Sequence, residues 1–404
     1  MVWWKNTVTP FPLVADHKQK IMRRIYLDYN ATTPLHPEVI KKMQKYMYEY
    51  FGNPSSSHWA GKKPKEAVKN AREQVAELLN CSPEEIVFTS GGSESNNFAI
   101  KGIAFSRKNK GNHIITTQIE HPAVLEVCKY LEKFNFKITY LPVDNYGMLN
   151  IKILEKAITP ETILVSVMHA NNEVGTIQPV EEISKITKKH SIIFHTDAAQ
   201  SAGKIPTDVK KLGVDLLSIA GHKLYAPKGI GVLFIKKGIE LEKFMHGAGQ
   251  EQGKRAGTEN VIEIAGLGVA CEIAVNDIKT NMQKLKNLRD KIFIGIKNII
   301  EDVRLNGHLD KRLPNTLSLS FKGIRANELI KKTEDYLAVS AGAACHSGKS
   351  EISYVLKAMN VPEDWAIGTI RISTGRFTDE NDVKNAVNII VKAISELKKK
   401  LIQL

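Results

Sequence analysis

Ser218-Ile219-Ala220-Gly221-His222-Lys223-Leu224-Tyr225 closes an apolar run that begins at Val214. The run reads as a buried strand that ends on small residues and then presents a His and a Lys side by side. A Lys at the exit of a buried strand loses water, which disfavours its charged form and leaves a usable amine nucleophile. Such an amine can form a Schiff base with a cofactor aldehyde. Alone, a His-Lys pair reads equally as a solvated turn. Its weight comes from upstream, where His195-Thr196-Asp197-Ala198-Ala199-Gln200 follows another apolar strand, Ile192 to Phe194. Asp197 is a carboxylate at a strand end, the kind of acid that pairs with a pyridinium nitrogen in pyridoxal phosphate (PLP) enzymes.

Around these two stretches, apolar strands alternate with helices. Strands are predicted at Ile86–Thr89, His113–Thr117, Lys137–Leu141, Ile163–Met168, Ile192–His195, Leu216–Ile219 and Gly231–Ile235. Helices are predicted over Glu38–Tyr48, Lys65–Leu79, Gly92–Phe105, Pro122–Phe134, Ile151–Ile158 and Val180–Lys189. The alternation implies an α/β fold, a mainly parallel sheet covered on both faces. Near residue 279 the pattern changes. Two long helices, Val261–Asp277 and Met282–Ile300, precede short strands at Thr316–Phe321, Tyr336–Ser340 and Thr369–Ser373, which suggest a smaller α+β unit. In the last helix Val383, Ala386, Val387, Ile390, Ile394 and Leu397 form one apolar stripe. The expected division is an N-terminal extension over 1–24, a large domain over 33–278, and a small domain assembled from 25–32 and 279–404.

At 404 residues, 43% hydrophobic and 25% charged, the chain has the composition of a globular enzyme. No apolar run is long enough to span a bilayer, and Met1 to Arg24 lacks the pattern of a secretory signal or transit peptide. The excess of 57 Lys+Arg over 43 Asp+Glu gives +14. An acidic partner could use that charge, but the lysines are scattered, which suits a Lys-rich surface better than a nucleic-acid stripe. Cys81, Cys128, Cys271 and Cys345 lack disulfide or metal spacing, so a reducing, cytoplasmic compartment and no metal site are expected.

Several strand ends carry polar residues, and open α/β sheets bind ligands there. Thr89-Ser-Gly-Gly-Ser-Glu-Ser-Asn-Asn97 starts a helix, where Ser93 and free backbone N–H groups suit a phosphate or simply cap the helix. His121 could stack on an aromatic cofactor or serve only as a helix-entry His. Asn172 leaves the next strand among several amides. Cys345 sits in Ser340-Ala-Gly-Ala-Ala-Cys-His-Ser-Gly-Lys349, a flank of tiny residues unlike the apolar settings of Cys128 and Cys271, which points to a reactive thiol. Arg371, inside an otherwise apolar strand, is either an edge residue facing water or a fork for a substrate carboxylate.

Together these stretches resemble the cysteine desulfurases, PLP enzymes of aminotransferase fold type I, from about Tyr26 to the C-terminal helix. The similarity is to the nitrogen-fixation and iron–sulfur-assembly branch and to its relatives, the selenocysteine lyases. The resemblance implies that Lys223 binds the cofactor covalently and that Asp197 holds the pyridinium proton. It implies that Gln200 contacts the phenolic oxygen, that His121 stacks on the ring, and that Ser93 and His222 serve the phosphate. Thr258, in Arg255-Ala-Gly-Thr-Glu-Asn260, matches a residue that reaches the phosphate from the other subunit of a homodimer. Asn172 and Arg371 match the substrate-carboxylate positions, and Cys345 matches the nucleophile that accepts sulfur.

Two features depart from the pattern. Ala220 stands where the family often has a phosphate-binding Ser, a lost hydroxyl contact of about 1 kcal/mol. The Ala-Ala-Cys-His-Ser loop resembles the selenocysteine lyases as well as the desulfurases, while the Cys345 to Tyr354 spacing matches the long-loop branch, in which the Cys travels to a protein acceptor. The implied reaction takes L-cysteine to L-alanine with persulfide on Cys345, passed to an acceptor such as an iron–sulfur scaffold, with no membrane or direct nucleic-acid partner. Rival readings are a selenocysteine lyase acting on L-selenocysteine, an ordinary PLP transaminase or β-lyase, and a non-catalytic scaffold of a sulfur-assembly complex.

Overall fold

The computed structural model describes residues 13–15, 21–341 and 352–402. In chain order the first elements are β1 (Leu13–Ala15), β2 (Ile21–Arg23), β3 (Ile25–Tyr26), α1 (Pro37–Tyr48) and α2 (Trp59–Leu79). There follow β4 (Ile86–Thr89), α3 (Gly92–Ser106), β5 (His113–Thr117), α4 (Pro122–Glu132), β6 (Lys137–Leu141), α5 (Ile151–Ala157) and β7 (Thr162–Ser166). Next come α6 (Val180–Lys189), β8 (Ile193–Asp197), α7 (Val209–Leu212), β9 (Leu216–Ala220), β10 (Gly231–Ile235) and α8 (Val261–Lys297). The remainder is β11 (Val303–Asn306), β12 (Thr316–Phe321), α9 (Ala326–Thr333), β13 (Leu337–Ala338), β14 (Ser340–Ala341), α10 (Tyr354–Ala358), α11 (Glu363–Ala366), β15 (Thr369–Ser373) and α12 (Glu380–Ile402).

The central sheet has seven strands in the order β4-β10-β9-β8-β7-β5-β6. Strands β9, β8, β7, β5 and β6 run parallel, and β10 alone opposes both its neighbours. Alternation along each strand sends successive side chains to opposite faces. Ile115, Phe194, Leu217 and Val232 therefore enter the core under α2, α6 and the first half of α8. Their neighbours Ile114, Ile193, Leu216 and Leu233 enter the core under α3 and α4. Each fully buried aliphatic or aromatic side chain contributes about 1.5–3 kcal/mol of transfer free energy. With both faces covered, the strands carry no polar outer face, and their functional residues fall just beyond their ends.

A second, antiparallel sheet, β11-β12-β15-β14, packs its own core of Leu288, Ile292, Ile296, Leu319, Ile372 and Ile390. The predicted strands recur within a residue or two, with three corrections. The two helices expected around residue 280 are the single 37-residue α8, whose Ile264–Ala274 half packs on the large core and whose Leu288–Ile296 half packs on the small one. The polar run Asn276 to Asn281 spans the gap between these cores and needs no apolar face there. The strand expected over Tyr336–Ser340 divides, β13 pairing parallel with β3 and β14 antiparallel with β15. Helix α2 begins at Trp59 and carries Pro64 inside it, because the missing side chain of Gly61 lets its first turn sit against the carbonyls of Asn53 and Ser56. Within the stretch read as an extension, β1 and β2 form an antiparallel pair.

Candidate active site

Lys223 lies in the single turn that leaves β9, where a Cβ on Gly221 would strike the Ile230 carbonyl at 2.9 Å. That close packing turns the chain at once and brings Lys223 back over the carboxyl edge of the sheet. Its Nζ donates to the Asn30 carbonyl and, at 2.6 Å, to the Ala31 carbonyl. Burial, and then the nearby Arg371 guanidinium, push its amine down to about 8. Neighbouring His222, bonded through Nδ1 to Thr32 Oγ1 at 3.1 Å, is pushed down to about 4 by burial and then by the Lys223 charge.

Asp197 ends β8 and is 7% exposed. Its Oδ2 accepts from Asn96 Nδ2 at 2.7 Å and its Oδ1 from the Ala199 N–H at 2.8 Å, which fixes the carboxylate plane. His121 starts α4, its Nδ1 accepting from the Ala123 N–H at 3.1 Å. It is the helix-entry residue, capping α4, and it also lines the cavity. Ser93 lies in the first turn of α3, whose N-cap, Gly91, holds φ at 149° and supplies no capping side chain. The first-turn N–H groups of α3 are therefore left to a ligand or to water.

Arg371 comes from β15, which lies between β12 and β14, so it is not the edge-strand residue facing water. Its Nη2 donates to Asp28 Oδ1 at 2.8 Å and to Ser340 Oγ at 3.2 Å, and its Nη1 donates to the Asn172 carbonyl at 3.1 Å. Arg371 Nε and Asn172 Oδ1 are buried without protein partners. Buried polar atoms of this kind mark places where a ligand or water completes the bonding.

Ser93, His121, Asn172, Asp197, Gln200, His222, Lys223 and Arg371 line one cavity of about 350 Å³, a size suited to a small organic ligand. Ala220 lines it too and offers no hydroxyl. Thr258 does not reach this cavity and instead lines another beside Ser90, Arg255 and Glu259. Cys345 lies outside the described residues.

Asn30 is the residue that sequence reasoning missed. It is 1% exposed and its carbonyl accepts from both Lys223 Nζ and Gln200 Nε2, the latter at 2.9 Å. Its side chain donates to the Asn172 carbonyl at 3.2 Å and to Thr316 Oγ1 at 2.8 Å. Lys204, also unforeseen, is 5% exposed and donates to Gln200 Oε1 at 2.9 Å and Asn30 Oδ1 at 3.3 Å. The run Asp28-Tyr-Asn-Ala-Thr-Thr-Pro34 precedes a capped helix, but nothing in it marks Asn30 as buried before its partners are known.

The model of the family described as aminotransferase class-V matches residues 25–386. A cysteine desulfurase IscS from Dictyoglomus turgidum is 47% identical over 377 residues, covering 93% of this chain and 96% of that protein. One of the same name from Methanosarcina thermophila is 46% identical over 93% of each chain. Among solved structures, a NifS-like protein superposes with a TM-score of 0.87 at 41% identity, covering 92% of this chain and 99% of its own. A structure described as SspA in complex with cysteine gives 0.76 at 39% identity, covering 86% and 98%. The chain therefore belongs to the class-V aminotransferase family, and within it to the cysteine desulfurases of the IscS and NifS-like kind.

Proposed function

We propose that this chain is a PLP-dependent cysteine desulfurase that converts L-cysteine to L-alanine and carries the sulfur away as a persulfide on Cys345. The observation that carries the reading is the convergence of an amine of lowered basicity (Lys223), a fixed carboxylate (Asp197) and a guanidinium fork (Arg371) on one cavity. The donor set suits PLP. Lys223 would hold it covalently, Asp197 its ring nitrogen, Gln200 its phenolic oxygen, His121 one ring face, and the first turn of α3 with Ser93 and His222 its phosphate. When bound, PLP supplies an electron sink for charge developing at the substrate Cα.

The chain's own groups do the rest. Arg371 orients the substrate carboxylate through its unpartnered Nε, with Asn172 beside it in the cavity. Lys223, whose amine is deprotonated near pH 8, takes the proton from Cα at Nζ. Asp197 would meet the ring nitrogen, its carboxylate plane held by Asn96 and the Ala199 N–H. The Cys345 thiolate attacks the substrate sulfur, so that an S–S bond forms and the Cβ–S bond breaks with its electron pair on carbon. That carbon is protonated, and alanine leaves.

A homodimer is supported by Thr258, which does not line the Lys223 cavity of its own chain but a separate one. It is also supported by the exposed aromatics Tyr48, Phe51 and Trp59, at 82, 78 and 79%. We assign the protein to the cytoplasm, with an iron–sulfur scaffold as persulfide acceptor, a reading consistent with its relatives and with the absence, among the described residues, of any helix long and apolar enough to cross a membrane. The division into a large domain over 33–278 and a small one from 25–32 and 279–404 belongs to the same reading.

The test is alanine release from purified, PLP-loaded protein given cysteine or selenocysteine, for wild type and Cys345→Ala in parallel. Cysteine turnover that falls to background in Cys345→Ala is the expected result. Turnover confined to selenocysteine would instead mean a lyase for that substrate, which the names of the relatives do not favour. No alanine from either would overturn the reading.

A further inference from the structure

Gln200 has an amide whose two ends differ only in what they face. Its Nε2 lies 2.9 Å from the Asn30 carbonyl, which can only accept. Its Oε1 lies 2.9 Å from Lys204 Nζ. The Asn30 side chain is fixed by the same logic, because its Nδ2 faces the Asn172 carbonyl and its Oδ1 is left toward Lys204 and Asn315 Nδ2. Two main-chain carbonyls and one buried amine therefore settle both amides. One N–H of Gln200 goes to Asn30, and the second remains for the cavity that Gln200 lines.

A lysine this deeply buried is costly unless it has work to do. Among the described residues no acid balances Lys204 directly, and its bonds there are to two amide oxygens. Burial and the charges of Lys223 and Arg371 depress its basicity, and even as a neutral amine it has two hydrogens for these two acceptors.

We propose that Lys204 is a positioning residue for the desulfurase reaction, holding the Gln200 amide so that its NH2 end, and not its oxygen, faces the cofactor. The proposal rests on the reading that PLP occupies this cavity on Lys223. With Lys204 in place, Gln200 donates to the phenolic oxygen and lowers the basicity of that oxygen. Without it, only the Asn30 carbonyl opposes a turn of the amide; the turned form presents an acceptor, and the phenolic oxygen then holds the proton of the cofactor–Lys223 linkage more tightly. The other charged and titratable groups facing Lys223 are Arg371, Asp28, Asp197, His121 and His222, and none of them bonds to the Gln200 amide.

The experiment is a pH titration of the visible absorbance of the PLP-loaded protein, for wild type, Lys204→Met, Lys204→Arg, Gln200→Ala and the Gln200→Ala/Lys204→Met double variant. Melting temperatures of the apoproteins identify any variant that fails to fold. Lys204→Met is expected to move the midpoint up by about one unit, Lys204→Arg to restore much of the wild-type value, and the double variant to titrate like Gln200→Ala. A Lys204→Met protein that titrates like wild type overturns the proposal. So does a shift that persists undiminished without Gln200, because Lys204 then acts through its charge alone. A wild-type protein with no visible band, or one whose band survives Lys223→Ala, defeats the assignment of PLP to Lys223 and is thus told apart from failure of the Lys204 role.

Discussion

The cavity wall made by the seven-stranded sheet and the wall made by Asp28–Thr33 with β15 handle charge in opposite ways. On the sheet side, Asp197 and Lys223 each sit at a strand end and are held by main-chain groups and neutral amides. On the other side, Arg371 is matched by a carboxylate, Asp28, at 2.8 Å, both side chains being mostly buried. The first wall keeps Lys223 away from a direct counter-ion, so its proton affinity stays adjustable. The second keeps a permanent cation neutralised and aligned, ready on the proposed reading to be shared with a substrate carboxylate. On the proposed reading, acid–base chemistry falls to the first wall and the substrate carboxylate mainly to the second, the two walls being joined through Asn30.

If that separation holds, the two walls fail differently. Lys223→Ala should abolish borohydride-stable attachment of cofactor and lower alanine formation by about 10³-fold or more, within the range lost with a general base. Attachment at another lysine would break the comparison outright. Arg371→Leu should leave cofactor attachment intact and raise KM for cysteine about 100-fold, the worth of a charge-assisted pair at about 2–3 kcal/mol. Arg371→Lys should recover little of it, because a lysine cannot reproduce the fork. A fall in kcat with unchanged KM would place Arg371 on the chemical side instead.

The smallest effect is one of stability. Lys223 in the folded apoprotein releases its proton near pH 8, whereas the unfolded chain holds it to about 10.5. Between those values the unfolded state binds more protons, so raising the pH favours folding. Replacing Lys223 by Met should therefore stabilise the apoprotein most below pH 8, with the advantage shrinking toward pH 10.5 in melting curves. An advantage that grows with pH would mean that Lys223 is held as a cation by the second wall.

The first wall was largely legible in the sequence. Strand alternation locates the ends of β4, β5, β7, β8 and β9, and the topology of a parallel sheet brings those ends to one edge. Ser93, His121, Asn172, Asp197 and Lys223 consequently fall together. The second wall was legible only in Arg371, a charge where periodicity asked for an apolar residue. Asn30 and Lys204 were not, since nothing in a turn distinguishes a buried polar side chain from a solvated one until its partners are known. The continuity of α8 escaped for a related reason. Its central polar residues crossed no core, so their pattern read as an interruption although the helix ran on.

That unbroken helix has a mechanical consequence. At about 1.5 Å per residue its 37 residues make a rod roughly 55 Å long. It is anchored at one end against the body that carries Lys223 and at the other against the body that carries Arg371. Any hinge between the two bodies must flex this rod, and no proline lies within it to soften the bend. The body that carries the amine and the body that carries the guanidinium are therefore braced by one continuous element, and movement needed for sulfur delivery is left to segments that the rod does not brace.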